Sequence, residues 1–220
     1  KCTVSTSGVR RALPALLGLL MVLTPTVARA ASLSDGDTWG LWRVVFAGYG
    51  SVTATGSGNS SRLTLSPAVA ATPAETHAAL VVSQNAHQDV RLRARVGLDA
   101  QLRENSSANP WESGWLVTRY QDPEHFYYLA LKTNGWELGK RDPTYPGGQR
   151  FLATGSTPRA AVGSAQTAVL QAVGRKLTVK INGTTVASFT DSEKPYKSGA
   201  VGLYCEDAAV TFSRISVTAL

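Results

Sequence analysis

From Leu33 to the C-terminus, apolar residues alternate with polar ones over short runs separated by Gly, Pro, Asn, Asp and Ser. A period of two over short runs marks strands, and no stretch carries the 3.6-residue period of a long helix. The clearest runs predict strands over 42–45, 62–65, 79–83, 90–96, 115–120, 126–132, 136–140, 167–173, 177–181, 185–190, 200–204 and 210–217. A dozen strands is more than one ordinary twisted sheet holds, so the pattern predicts an all-β protein of two packed sheets. Turn chemistry agrees. Asn182 and Gly183 suit the positive φ of a two-residue hairpin, and Asn134 with Gly135 separates two aromatic-rich strands in the same way. Two prolines and two glycines make 142–148 a loop. A second long loop, 101–113, carries Trp111; such loops either serve a site or are plain insertions.

Alternation also says which side chains share a surface. Along 90–96, Val90, Leu92, Ala94 and Val96 form an apolar face, which leaves Arg91, Arg93 and Arg95 on the other, about 7 Å apart. Such a row suits acidic groups on a polymer, such as uronates, or is a solvated face whose charges block edge pairing. On the next strand Trp115, Val117 and Arg119 share a side, and Phe126, Tyr128, Ala130 and Lys132 oppose the core set Tyr127, Leu129 and Leu131. If the two sets face one groove, it holds Trp115, Arg119, Tyr128 and Lys132. A ring would then stack on a sugar, a guanidinium would pair with a carboxylate, and a tyrosine would relay a proton.

The first thirty residues depart from this pattern. Arg10 and Arg11, an apolar run over 12–23, and Ala28, Arg29 and Ala30 follow the layout of a signal peptide. Pro14 and Gly18 interrupt the apolar run, which is too short to span a bilayer core of about 30 Å. Residues 1–30 are therefore expected to be an export signal and 31–220 a single secreted domain, extracellular or in the cell envelope, monomeric and free of the membrane. Without the four basic residues of that segment, eighteen basic residues face fifteen acidic ones, a net of +3 rather than +7. A nucleic-acid partner loses its support at that charge. Cys2 leaves with the signal, so Cys205 has no intrachain partner and stability rests on a core.

Residues 114–123, Gly-Trp-Leu-Val-Thr-Arg-Tyr-Gln-Asp-Pro, then Phe126, Tyr127, Tyr128 and Leu129, resemble two adjacent strands of the concanavalin A-like jelly-roll proteins. The likeness is to the laminin-G, YesU-like and 3-keto-disaccharide hydrolase-related secreted bacterial members. Residues 177–183 and 199–203 resemble their hairpin and the strand that follows it, and 210–217 resembles their last strand. The resemblance implies a two-sheet antiparallel jelly-roll sandwich whose concave sheet takes a glycan. It leaves the chemistry open, because this fold hosts lectins, hydrolases and lyases alike. Many relatives bind a structural calcium through an acidic pair near the last strand, where this chain has Ser213 and Arg214. Asp35 and Asp37 are the remaining oxygen ligands for such an ion, or plain turn residues. The Glu-x-Asp-x-Glu strand used by glycosidases of this fold is absent.

The candidate catalytic residues are Arg119, His125, Tyr128 and Glu137. Arg119 would neutralise a uronate, His125 or Tyr128 would transfer a proton, and Glu137, like Asp142, is a carboxylate acid or base. Arg93, Trp111, Trp115, Lys132, Trp136 and Lys140 are the candidate substrate-binding residues, with Trp115 and Trp136 stacking on sugar. His77, His87 and His125 lack zinc-site spacing, and no Gly-x-Ser-x-Gly elbow, phosphate loop or Cys-x-x-Cys pair occurs, so no metal is assigned to them. These residues predict a polysaccharide-cleaving enzyme, a lyase or glycoside hydrolase. The alternatives are a non-catalytic lectin-like carbohydrate-binding module, which explains the aromatics equally well, and a structural surface protein.

Overall fold

The computed structural model describes residues 30–57 and 60–220. Apart from Ala30, the predicted export signal lies outside the described residues. Sixteen strands, numbered in chain order, form two eight-stranded antiparallel sheets, with no α-helix among the described residues. Across the first sheet, sheet A, run β1 (Ala31–Leu33), β4 (Ser51–Thr55), β5 (Arg62–Ser66), β16 (Ala208–Ala219), β7 (Val90–Gln101), β12 (Ser164–Val173), β13 (Lys176–Ile181) and β14 (Thr184–Thr190). Across the second, sheet B, run β11 (Gln149–Gly155), β10 (Gly135–Arg141), β9 (His125–Lys132), β8 (Gly114–Asp122), β15 (Ala200–Glu206), β6 (Ala78–Ser83), β3 (Trp42–Phe46) and β2 (Thr38–Trp39). This is the all-β architecture of two packed sheets that the alternation predicts, in the jelly-roll form that the resemblance implies. All twelve expected strands are present, and β1, β2, β4 and β11 are additional.

The core lies between the sheets and follows the period of two. Val90, Leu92, Ala94 and Val96 of β7 meet inward residues of sheet B, among them Leu116, Tyr127, Leu129 and Leu138. Each large side chain buried there contributes roughly 1.5–3 kcal/mol of transfer free energy. Cys205 is part of this core, and burial pushes its thiol up, away from thiolate chemistry.

The outer faces of the two sheets differ. On β7 the outward positions are exposed, as expected where an antiparallel sheet meets water. On β8, β9 and β6 most outward positions are buried too and on β15 they are mostly half-buried, and Leu80, Val82, Trp115, Val117, Phe126 and Tyr128 belong to a second apolar cluster. That cluster floors a groove.

One residue expected at the groove is turned away from it. Val117 pairs with Gly202 and Tyr120 with Ala200, which leaves Thr118 and Arg119 together opposite Val201. A bulge of this kind re-aims side chains, and Arg119 sits in the left-handed region at φ 51. Its guanidinium is buried and donates to the carbonyls of Gln88 (2.9 Å) and Gly174 (2.6 Å) and of Tyr196 (2.5 Å), with Asp89 Oδ1 at 3.3 Å. Arg119 is thus a structural clamp at one end of the sandwich, and strict alternation mis-assigned it.

Candidate functional site

The floor is a row of three rings on neighbouring strands of sheet B. Trp115 on β8 lies between Tyr128 on β9, 4.8 Å away and tilted by 30°, and Tyr204 on β15, 4.9 Å away at 54°. Over this floor opens a cavity of about 570 Å³ lined by Trp111, Trp115, Lys132, Glu137, Arg141, Gln149, Phe151 and Glu206. A smaller hollow of about 220 Å³ shares Trp115, Arg141, Gln149 and Glu206 with it and extends the groove past Phe126 and Phe46. The larger volume is typical of small-molecule sites, about 300–1,000 Å³. Trp111, from the long loop before β8, and Phe151, from the edge strand β11, form an exposed aromatic rim.

Two carboxylates face the groove, and each is held by a tyrosine of the floor. Glu137 Oε1 accepts from Tyr128 Oη at 2.9 Å, and its Oε2 accepts from Lys132 Nζ at 3.0 Å. Glu206 Oε2 accepts from Tyr204 Oη at 2.8 Å, and its Oε1 accepts from Trp111 Nε1 at 3.1 Å. The two differ in charge balance. Glu137 is ion-paired, whereas burial, reinforced by Asp207 and Glu112, pushes the Glu206 carboxyl above its usual range despite the bonds from Tyr204 and Trp111. Arg141 adds a cation that has no carboxylate within ion-pair distance among the described residues and is steadied by the carbonyl of Gly147 at 3.1 Å. An acid with raised proton affinity, an ion-paired carboxylate and an unpaired guanidinium over an aromatic floor are the parts needed for proton transfer next to a sugar.

Against models of protein families, residues 29–218 match the 3-keto-alpha-glucoside-1,2-lyase-like domain. The chain belongs to that family. Among solved structures it is similar to the carbohydrate-binding module CBM66 from Bacillus subtilis, with a TM-score of 0.59 and 15% identity over 81% of this chain and 96% of that one. A Bacteroides ovatus mixed-linkage glucan GH16 protein in complex with its product gives a TM-score of 0.51 and 9% identity over 89% and 96%. The exoplasmic/lumenal domain of VIP36 in a Ca2+- and Man3GlcNAc-bound form gives 0.53 and 12% over 86% and 88%. At such identities these likenesses establish the concanavalin A-like fold. No curated protein sequence matches the chain.

The structure brings Trp111, Trp115, Lys132, Tyr128 and Glu137 of the expected residues to this family member's groove. Tyr128 is fully buried beneath Trp115, so it can orient Glu137 but does not reach a ligand. Burial also pushes its phenol up, away from proton relay. The other expected residues lie elsewhere. His125 sits where the 122–125 turn closes, its Nδ1 2.8 Å from Asp122 Oδ1, edge-on to Tyr196. Trp136 and Lys140 share the inward parity of β10. Trp136 packs in the core with its Nε1 donating to the carbonyl of Thr157 at 2.9 Å. Lys140 is fully buried and donates to Asp191 Oδ2 at 3.0 Å and to the carbonyls of Glu193 and Lys194. Asp142 accepts from the backbone amide and hydroxyl of Thr144 as a turn residue. Arg93 lies on the other sheet, facing away from the groove.

Alternation points to several groove residues that the sequence reading passed over. Arg141 shares the outward parity of Glu137, and Glu206 shares that of Tyr204, each at the end of its strand. Gln149 and Phe151 come from β11, whose mixed burial pattern hides it as a strand. The two candidate calcium ligands each bond a nearby backbone amide, Asp35 Oδ1 accepting from Ala47 and Asp37 Oδ2 from Ser34. Among the described residues no three His, Cys, Asp or Glu gather to hold a metal.

Proposed function

We propose that this protein is an exported lyase that eliminates the aglycone from a glucoside carrying a ketone at C3. The family match names that chemistry, and the observation that carries the reading to these residues is the pair of tyrosine-held glutamates, Glu137 and Glu206, over one aromatic floor. A C3 ketone acidifies the proton on C2. Glu137 takes that proton, and the electron pair of the broken C–H bond moves into an enolate whose oxygen is stabilised by Arg141. As the enolate collapses, a C1–C2 double bond forms and the C1–O bond breaks. Glu206 gives its proton to the departing oxygen. Trp115 supports the sugar face, with Trp111 and Phe151 closing on it from the rim.

A C3-keto aryl glucoside tests this directly. The aryl alcohol is released from the keto sugar and not from its unoxidised parent, and a deuterium placed at C2 is lost to solvent. Glu137→Gln lowers kcat/KM by about 10²–10⁴-fold. Because the proton affinity of Glu206 is raised, its acid form persists above about pH 4.3, the ordinary glutamate value, and is lost as pH rises through the raised one. The wild-type rate therefore falls on that alkaline limb, and Glu206→Gln loses the limb along with most of the rate. Binding of the keto sugar without release, unchanged in both variants, would assign the groove to a lectin-like module instead.

A further inference from the structure

The outward strand positions of sheet A carry no aromatic ring among the described residues. Its chemistry is charge. The strands of this sheet carry seven basic residues and one acidic residue, Asp99. Arg91, Arg93 and Arg95 stand exposed along β7, and the register extends them sideways. Arg95 and Arg62 both pair with Ser213, and Arg93 and Lys180 both pair with Val169. Each of these cations therefore faces another across one intervening strand, roughly 9–10 Å away, and the arginines of β7 repeat about every 7 Å along the chain. None of the five has a carboxylate within ion-pair distance among the described residues. The lanes between them present Ser213, Ser216, Thr167 and Gln171, with Gln171 Oε1 accepting from Arg91 Nε at 2.8 Å.

We propose that this face binds an acidic polysaccharide, whose carboxylates pair with Arg91, Arg93 and Arg95 while its hydroxyls meet the Ser and Thr lanes. Repeated guanidinium groups fit repeated carboxylates. A membrane surface would call for apolar side chains to insert, and single-stranded nucleic acid for rings to stack on, and the face offers no ring. The groove opens on the opposite sheet, so a protein held this way keeps it free for a small ligand. This inference stands apart from the lyase reading, because it rests on the other sheet.

Affinity electrophoresis of the protein through gels containing polygalacturonate, with dextran as the neutral control, tests it. At about 50 mM salt polygalacturonate retards the protein and dextran does not, and near 0.5 M salt the retardation disappears. Arg91→Thr, Arg93→Thr and Arg95→Thr combined weaken the retardation at least about tenfold with an unchanged melting temperature, and Glu137→Gln leaves it intact. The proposal is overturned if the wild type is not retarded, if the triple variant is retarded equally, if Glu137→Gln abolishes the effect, or if duplex DNA and anionic vesicles bind as tightly as the polyuronate.

Discussion

The two outer faces of the sandwich are built from the same kind of strand and have opposite fates. On sheet A, β7 alternates strictly, with Val90, Leu92 and Ala94 inward and Arg91, Arg93 and Arg95 in water. On sheet B, β8 and β9 are buried on both faces over most of their length, and their outward side chains include the rings of Trp115, Phe126 and Tyr128. Water is a good neighbour for arginine and a poor one for a row of Trp and Tyr, so an apolar outer face persists only where rim and loops cover it or a ligand does. In an antiparallel sandwich, strands that lose their alternation therefore mark the working face. Strands that keep it mark the solvated one.

The sharpest way to break this comparison is through its exception. Arg119 lies at a position that strict alternation gives to the groove face, yet the bulge sends it inward among four oxygen partners. Arg119→Met removes the buried cation that these oxygens, most of them carbonyls, share, at a cost of about 3–5 kcal/mol in urea unfolding. The folded fraction keeps its turnover of the keto sugar. A stable variant without turnover would return Arg119 to the groove.

A smaller effect separates the faces by a single methyl group. Gly139 on β10 pairs with Tyr128, and a Cβ at Gly139 would run into the Tyr128 ring and hydroxyl. That ring cannot retreat, because Trp115 stacks on it and Glu137 accepts its hydrogen bond. Gly139→Ala should cost about 1–3 kcal/mol and lower kcat more than it raises KM, since Tyr128 positions Glu137. Rate and stability both unchanged would show that Glu137 does not depend on the floor.

These cases also show what the chain discloses by itself. The sandwich was readable because a period of two survives in any strand with one wet face, and twelve of sixteen strands have enough Val, Leu or aromatic content to display it. β4, with Val52 and Ala54 among Ser and Thr, and β11, with Phe151 exposed at the sheet edge, carry the period too weakly. Trp111, Trp115, Lys132 and Glu137 were readable as groove residues because parity carries along β8 to β10 and loop length points to Trp111. Arg119 was not, because a bulge shifts parity and has no sequence mark of its own here. Chemical type alone assigns Lys140 and Trp136 to a ligand, although both share the inward parity of Leu138. Glu206 was missed because it is the last residue of its strand, where the neighbours that trap it, Tyr204 and Trp111, come from two different segments.

The smallest expected effect is the control on the whole comparison. Arg93 is exposed at the centre of the solvated face, with Ser216 and Val169 as its cross-strand neighbours and no ion pair to lose. Arg93→Thr puts a good strand former at an outward position, so the unfolding free energy should stay within about 0.5 kcal/mol of wild type. Turnover of the keto sugar should not move, because the side chain and the groove lie on opposite sides of the core. A loss comparable to that of Gly139→Ala would mean that the arginine row is packed or partnered, and alternation would then no longer distinguish the working face from the wet one.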